Sequence, residues 1–350
     1  MTLRNKLLAF SAATSLLAGC QGASIEDLAP KADRDLPAPV LTKMKSMGMT
    51  RGSPIMMRIF KDDSTLEVWK AKDNGRYALI GSYKICKWSG KLGPKKTEGD
   101  RQAPEGFYYI HKWQMNPKSN YYLSFNIGYP NSYDRAWGRT GTNLMIHGAC
   151  SSAGCYSMTD ENVAQIYAFA RDALAGGQDA FLVEAFPFRM TPENMAKHRD
   201  DPNFPFWQML KQGYDDFEIT HIPPKVDVCE KKYVVDVAFD GDAKPDPAGA
   251  CPPSTTPASL LQARADYDAQ YKKAFEKEVA RLERQKPATA VAQQSPAPAA
   301  KPVLASASVS GSAKAGAPVP QANPVEAASN EQASATKPAK KRWWSSFLGE

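Results

Sequence analysis

Short apolar runs separated by turn formers fill residues 53–147. Ile55–Phe60, Leu66–Ala71, Tyr77–Ile85, Phe107–Trp113, Tyr121–Ile127 and Leu144–His147 each read as a strand. In the second run Leu66 and Val68 alternate with Glu67 and with Lys70-flanked Trp69, the period of a half-buried strand. Lys72-Asp73-Asn74-Gly75 and Tyr129-Pro130-Asn131 carry the residues that turns require. The period then changes. Val163, Ile166, Ala170 and Leu174 recur at helical spacing behind Thr159, a capping residue, and Gly176-Gly177 ends the run. Phe181–Phe186 reads as a buried strand, and Thr191-Pro192-Glu193 opens a second helix. Thr256-Pro257 opens a long helix to about Gln285, whose stripe of Tyr267, Tyr271, Phe275, Val279 and Leu282 predicts a packing face. The fold class expected is α+β and β-rich.

The two ends have different compositions. Arg4 and Lys6 precede an apolar run, Leu7–Leu17, that is too short to span a bilayer and has the layout of a secretory signal. It closes on Leu17-Ala18-Gly19-Cys20, which resembles the lipobox of bacterial lipoproteins. That resemblance implies cleavage before Cys20, lipids on Cys20 and a membrane contact through them. Gln21, where Asp often marks inner-membrane retention, favours the outer membrane. The expected location is therefore periplasmic and lipid-anchored. Pro287–Ala339 is mostly Ala, Pro, Ser, Gln, Val and Lys, too poor in aromatic and branched residues to offset ordering, so a disordered arm is expected. It ends in a basic–aromatic cluster, Lys340-Lys341-Arg342-Trp343-Trp344, suited to an anionic surface or a partner. The chain thus divides into a signal (1–19), a tether (20–50), a main domain (51–220), a strand-plus-helix extension (221–285) and a tail (286–350). The net charge of +7 is spread thinly or sits in the arm, which argues against nucleic acid.

The chemistry concentrates in Ile146-His147-Gly148-Ala149-Cys150-Ser151-Ser152-Ala153-Gly154-Cys155-Tyr156. A strand delivers His147, a Gly- and Ser-rich loop follows, and Cys155 sits just before the predicted helix. A helix N-terminus stabilises a thiolate, and a neighbouring imidazole takes the thiol proton or pairs with the thiolate. Gly154 lets the backbone turn tightly, and the amides of Cys155 and Tyr156 are placed to face an oxyanion. Three plainer readings compete: a core histidine beside a structural thiol, a metal cluster of His147, Cys150 and Cys155, and a Cys150–Cys155 disulfide.

The pattern His-Gly, short loop, Ser-x-Gly-Cys resembles the YkuD-type L,D-transpeptidase catalytic domain. The surrounding text resembles its YafK-like murein branch over about residues 50–220. The matching stretches include Tyr83-Lys84-Ile85-Cys86, Ser89–Pro94, Glu98-Gly99-Asp100, Pro104–Tyr108, Met115–Ser119, Tyr129–Asp134, His147–Asp160 and Phe186–Thr191. The general motif often has His before the Gly and Arg or Asn two places after the Cys; here Ala153 and Ser157 stand there. The resemblance implies a β-rich catalytic domain with a C-terminal helical extension. It implies Cys155 as nucleophile, His147 as base, the Gly148 carbonyl as support for the histidine, and Ser152 and Gly154 as oxyanion-loop residues. It also implies peptidoglycan stem peptides as donors, another stem or an envelope protein as amine acceptor, and neither cofactor nor metal. An amidase cutting protein–peptidoglycan links from the same site, or a non-catalytic wall-binding lipoprotein, are the alternatives.

Arg135, Arg139 and Tyr129 precede His147 and are candidates for holding stem carboxylates. His111, His198 and His221 have no thiol nearby in sequence and are expected to be structural. With Cys20 lipidated and Cys155 free, four cysteines remain, which allow three pairings. Cys229 and Cys251 flank the loop after the Val234–Phe239 strand, and a local disulfide is expected there. Cys86 is expected to be a buried free thiol and Cys150 to lie near the site.

Overall fold

The computed structural model describes residues 30–285. The chain divides into two units, Met1–Thr289 and Ala290–Glu350, and the second lies wholly outside the described residues. The signal, Cys20, the expected disordered arm and the basic–aromatic end all fall outside them as well.

A five-stranded sheet in the order β3-β2-β1-β9-β4 forms the centre. Its strands are β1 (Ile55–Phe60), β2 (Thr65–Ala71), β3 (Tyr77–Lys84), β4 (Gly106–His111) and β9 (Ala180–Phe186). All pairs are antiparallel except β1 with β9. Every residue of β1 is buried, as expected of a strand covered on both faces. Alternation divides its side chains. Ile55, Met57 and Ile59 join one core with Val163, Ile166 and Phe169 of α3 (Asp160–Ala175). Met56 and Phe60 join a second core with Trp207, Leu210 and Phe217 of α5 (Phe204–Thr220).

The second sheet, β5-β6-β7-β8, is built from β5 (Met115–Asn116), β6 (Ser124–Asn126), β7 (Met145–His147) and β8 (Tyr156–Ser157). It shares the α3 side of the core through Phe125 and Ile146. The remaining elements are α1 (Ala38–Ser46), α2 (Ser132–Ala136), α4 (Pro192–Lys197), the hairpin β10 (Val226–Cys229) with β11 (Lys232–Val235), the pair β12 (Ala238–Phe239) with β13 (Ser254–Thr255), and α6 (Ala258–Gln285). Among the described residues no helix is long and apolar enough to cross a membrane.

Three expectations change. The tether expected over 20–50 is, from residue 30 on, part of the folded body: α1 lies there, and Leu36, Met44 and Met49 are buried. The strand expected over Val234–Phe239 is two strands with different partners, β11 on β10 and β12 on β13. α5 had no counterpart in the sequence reading. The packing face of α6 is real but shallow: Tyr271 and Phe275 pack against the second core without becoming buried, and the Tyr271 hydroxyl donates to the Met190 carbonyl at 3.1 Å.

Candidate active site

The parallel pairing of β7 with β8 makes the site. Ile146 lies opposite Tyr156 and His147 opposite Ser157, which brings Cys155 beside the strand that carries His147. The Cys155 sulfur accepts the Met145 amide at 3.4 Å and lies 3.8 Å from the Asn143 carbonyl oxygen. Cys155 is half-buried and is the one free cysteine among the described residues.

His147 is buried, at 3 % exposure. Its Nδ1 lies 2.6 Å from the Gly148 carbonyl oxygen, so the proton sits on Nδ1 and Nε2 is left as the basic nitrogen. The Gly148 amide donates to the Tyr121 and Leu123 carbonyls at 3.0 and 3.2 Å. A Cβ at Gly148 would stand 2.5 Å from Asp160 Oδ1 and 2.9 Å from the Tyr121 carbonyl oxygen, so glycine is required. Asp160, the first residue of α3, accepts the Ala149 amide at 2.8 Å. The loop is therefore clamped from both sides. Ala149 and Cys150 hold φ of 62° and 50°, and Gly154 holds 125°. Such left-handed backbone persists where surrounding contacts enforce it, and it gathers at functional sites.

Ser152 shapes the turn before the thiol: its hydroxyl donates to the Cys155 carbonyl at 2.7 Å and accepts the Gly154 amide at 3.3 Å. Across the site, Ser89 Oγ lies 3.3 Å from Ser152 Oγ, and the Tyr156 hydroxyl donates to the Pro104 carbonyl at 2.6 Å. The segment 88–105 thus forms one wall. Its root is Lys61, fully buried, whose ammonium donates to the carbonyls of Lys91, Gly93 and Ala103 and to Glu105.

The electrostatics differ from those the sequence suggests. Cys155 precedes β8, not a helix, and α3 begins only at Asp160. The N-terminus of α3 is capped by Thr159, whose hydroxyl accepts the Asn162 amide, and its first residue, Asp160, is engaged by the Ala149 amide. Burial pushes the Cys155 thiol up, and the Met145 amide and the charge of Lys95 only partly counter it. Burial also lowers His147, partly offset by the Gly148 carbonyl. Both shifts favour a neutral thiol beside a neutral imidazole over a standing ion pair. The proton then moves as the sulfur attacks.

The other candidates take separate places. Arg139 is spent on Asp134, at 2.8 Å, and lies over the rings of Tyr133 and Phe206. Tyr129 is buried, with its hydroxyl donating to the Lys95 carbonyl at 3.3 Å. Arg135 is exposed and donates to Pro130 O and Ser132 Oγ. Arg139 and Tyr129 thus both have internal partners. Cys86, expected as a free thiol, is instead bonded to Cys150, because β3 ends beside β8: the Cys86 amide donates to the Ser157 carbonyl at 2.8 Å. This takes Cys150 out of any pairing with Cys155 and out of a metal cluster. A second disulfide joins Cys229 to Cys251. His111, His198 and His221 stack on Trp113, Phe188 and Trp69 respectively, away from the thiol. Tyr121, Asp160, Lys95 and Ser89 were missed as site residues; Asp160 carried a signal, an acid at a helix start twelve residues after a Gly–Ala pair begins, but not one that names its partner.

A β-rich α+β fold here sets a cysteine beside the strand of a histidine, the two side-chain types that thiol–imidazole acyl transfer uses. The chain belongs to the YkuD-type L,D-transpeptidase family. The L,D-transpeptidase catalytic domain matches residues 56–180. The chain is 49% identical over 184 residues to YafK of Escherichia coli K12, provisionally named an L,D-transpeptidase, a match spanning 53% of this chain and 74% of that one. Two solved structures are weakly similar. One is a point mutant of the helical cell shape determining protein Pgp2 from Campylobacter jejuni (25% identity, 42% of this chain, 52% of that chain, TM-score 0.31). The chain therefore spans about half the length of that protein. The other is Bd1075 of Bdellovibrio bacteriovorus (14% identity, 56% of this chain, 91% of that chain, TM-score 0.30).

Proposed function

We propose that the protein is a peptidoglycan L,D-transpeptidase that uses Cys155 as nucleophile and His147 as base. One observation carries the reading: the β7–β8 register that sets the free thiol beside the strand of a histidine whose other nitrogen is engaged by the Gly148 carbonyl. The reaction begins as His147 Nε2 takes the Cys155 proton and the sulfur attacks the carbonyl at the L-centre of diaminopimelate in a tetrapeptide stem. The C–N bond to the terminal D-alanine breaks, and the imidazolium returns its proton to the departing amine. The thioester left on Cys155 is then attacked by an amine of a second stem or of an envelope protein, which restores the thiol. Backbone amides around the Ser152–Cys155 turn supply the oxyanion stabilisation in this scheme. The proposal includes export and a lipid anchor at Cys20, which places the enzyme in the periplasm at the outer membrane.

The test is incubation of the chain lacking residues 1–20 with purified tetrapeptide muropeptides, beside Cys155→Ala, with products read by mass spectrometry. Loss of D-alanine with a crosslinked or amine-exchanged product, absent from the variant, is expected. Turnover only of protein-linked sacculi would replace transpeptidation with amide hydrolysis from the same site. A wild type inert on both would overturn the enzymatic reading.

A further inference from the structure

The β5–β6 connection, residues 117–123, borders the site at His147 and Gly148. It carries an aromatic residue that the reaction scheme leaves without a role. The Tyr121 ring lies 4.8 Å, centroid to centroid, from the His147 imidazole and tilts 45° to it. Its own carbonyl accepts the Gly148 amide, so the residue is fixed to the catalytic loop by backbone as well as by ring. Yet the side chain is 51 % exposed. Among the described residues its hydroxyl has no hydrogen-bond partner, although the Tyr108, Tyr129 and Tyr156 hydroxyls each donate to a backbone carbonyl.

The chain pays locally to hold this arrangement. Tyr122 sits at φ 68°, left-handed backbone that a bulky residue rarely adopts. The connection is pinned from outside by Lys31, whose ammonium donates to the Ser119 carbonyl at 3.2 Å and stands over the Tyr122 ring. An aromatic side chain that only filled space would turn its face inward. This one keeps its ring against the histidine at a tilt and leaves much of the ring, and its hydroxyl, open.

We propose that Tyr121 is a substrate-binding residue: its open ring face supports the extended stem peptide next to the bond that Cys155 attacks, and its hydroxyl hydrogen-bonds the peptide. The assignment rests on the transpeptidase reading for the identity of the ligand, a short peptide with polar backbone and carboxylate groups. It does not rest on turnover. A flat amphipathic ring with one free hydroxyl suits such a ligand, because it offers contact area at little conformational cost and a single directional bond.

The experiment separates binding from chemistry. Tetrapeptide muropeptide is titrated by calorimetry into the Cys155→Ala protein, and into the same protein carrying Tyr121→Phe or Tyr121→Leu. Cys155 alkylation by iodoacetamide is followed against pH in chains that keep the thiol. Tyr121→Phe is expected to weaken binding about fivefold, the worth of one neutral hydrogen bond, and Tyr121→Leu more. Both are expected to leave the alkylation profile in place, since each still covers His147. Unchanged affinity in both variants, or no muropeptide binding by Cys155→Ala itself, overturns the assignment. Loss of affinity together with a shifted alkylation profile also overturns it, because Tyr121 would then act only by supporting His147. Binding without turnover in the wild type would leave Tyr121 assigned and sink the transpeptidase reaction instead.

Discussion

Gly148 joins three functions in one residue: its carbonyl orients His147, its amide holds the 117–123 wall, and its missing side chain admits Asp160. Gly148→Ala is therefore expected to lower acyl transfer by about a hundredfold, the scale of an ångström's misplacement, in a single-turnover assay. The neutral state of the Cys155–His147 pair makes a second prediction. Because burial raises the thiol, its thiolate grows steadily across the neutral range and beyond the ordinary cysteine value. Alkylation by iodoacetamide should climb with pH through 7 to 9 without an acid plateau. His147→Ala should cut transfer by about a thousandfold, as loss of a general base does. Cys155 and His147 were legible as a pair because a strand end, a glycine-rich loop and a thiol stand in one segment. Lys95 and Tyr121 were not. Nothing local in Lys95 reports a field on a sulfur sixty residues away, and Tyr121 looked like one more strand aromatic.

At the scale of elements, legibility followed length and period. β1 and α3 repeat apolar residues over a full face and were placed within a residue or two. β5 and β8 are two residues each and exist only through their neighbours. α5 had no prediction, and Pro205, Gly213 and the pair Asp215-Asp216 each weaken a helical signal. The structure explains each: Pro205 lies in the first turn, and the Phe107 ring occupies the space of a Gly213 side chain. Asp216 is buried against Arg264 of α6, which donates to it at 2.8 and 2.5 Å. Arg264→Met, which strands that carboxylate, is expected to cost about 3 kcal/mol in urea unfolding. Asp236, just past β11, belongs to the same junction. Burial, against the Lys225 amide and with the Asp216 carboxylate, pushes it up to about 7. The folded chain then holds a proton that the unfolded chain releases near the ordinary carboxylate range. Stability from this group is present at low pH and is lost as pH rises through about 7. Melting temperatures between pH 5 and 8 should show that fall in the wild type and a flatter curve in Asp236→Asn.

For the whole molecule, the two cores on opposite faces of one sheet make the body a single cooperative object, and the disulfides act at its margins. Cys229–Cys251 closes a segment with a sequence separation of 22, and Cys86–Cys150 one of 64. By loop entropy the first is worth about 3 kcal/mol and the second about 4 kcal/mol. Replacing Cys86 and Cys150 together by alanine should therefore lower the denaturant midpoint more than replacing Cys229 and Cys251, and it alone should slow transfer, since only Cys150 lies in the loop that carries Cys155. The Cys229–Cys251 bond was legible because both partners flank one loop. The other bond was not, because it depends on β3 ending beside β8.

The Cys86–Cys150 bond also poses a sorting problem. Before oxidation the chain holds Cys86, Cys150 and Cys155 as three thiols, and three thiols permit three single bonds. One of the three, Cys86–Cys150, leaves Cys155 free. Chain entropy favours the wrong choice, since Cys150 and Cys155 are five residues apart while Cys86 is sixty-four from Cys150. The right choice is made by the strands: once the end of β3 is docked against β8, Cys86 and Cys150 stand 5.4 Å apart at their Cα atoms. A chain oxidised before that docking would tie Cys155 to a neighbour and wait on thiol exchange to free it. Leaving Cys155 as the unpaired thiol therefore calls for folding first and oxidation second.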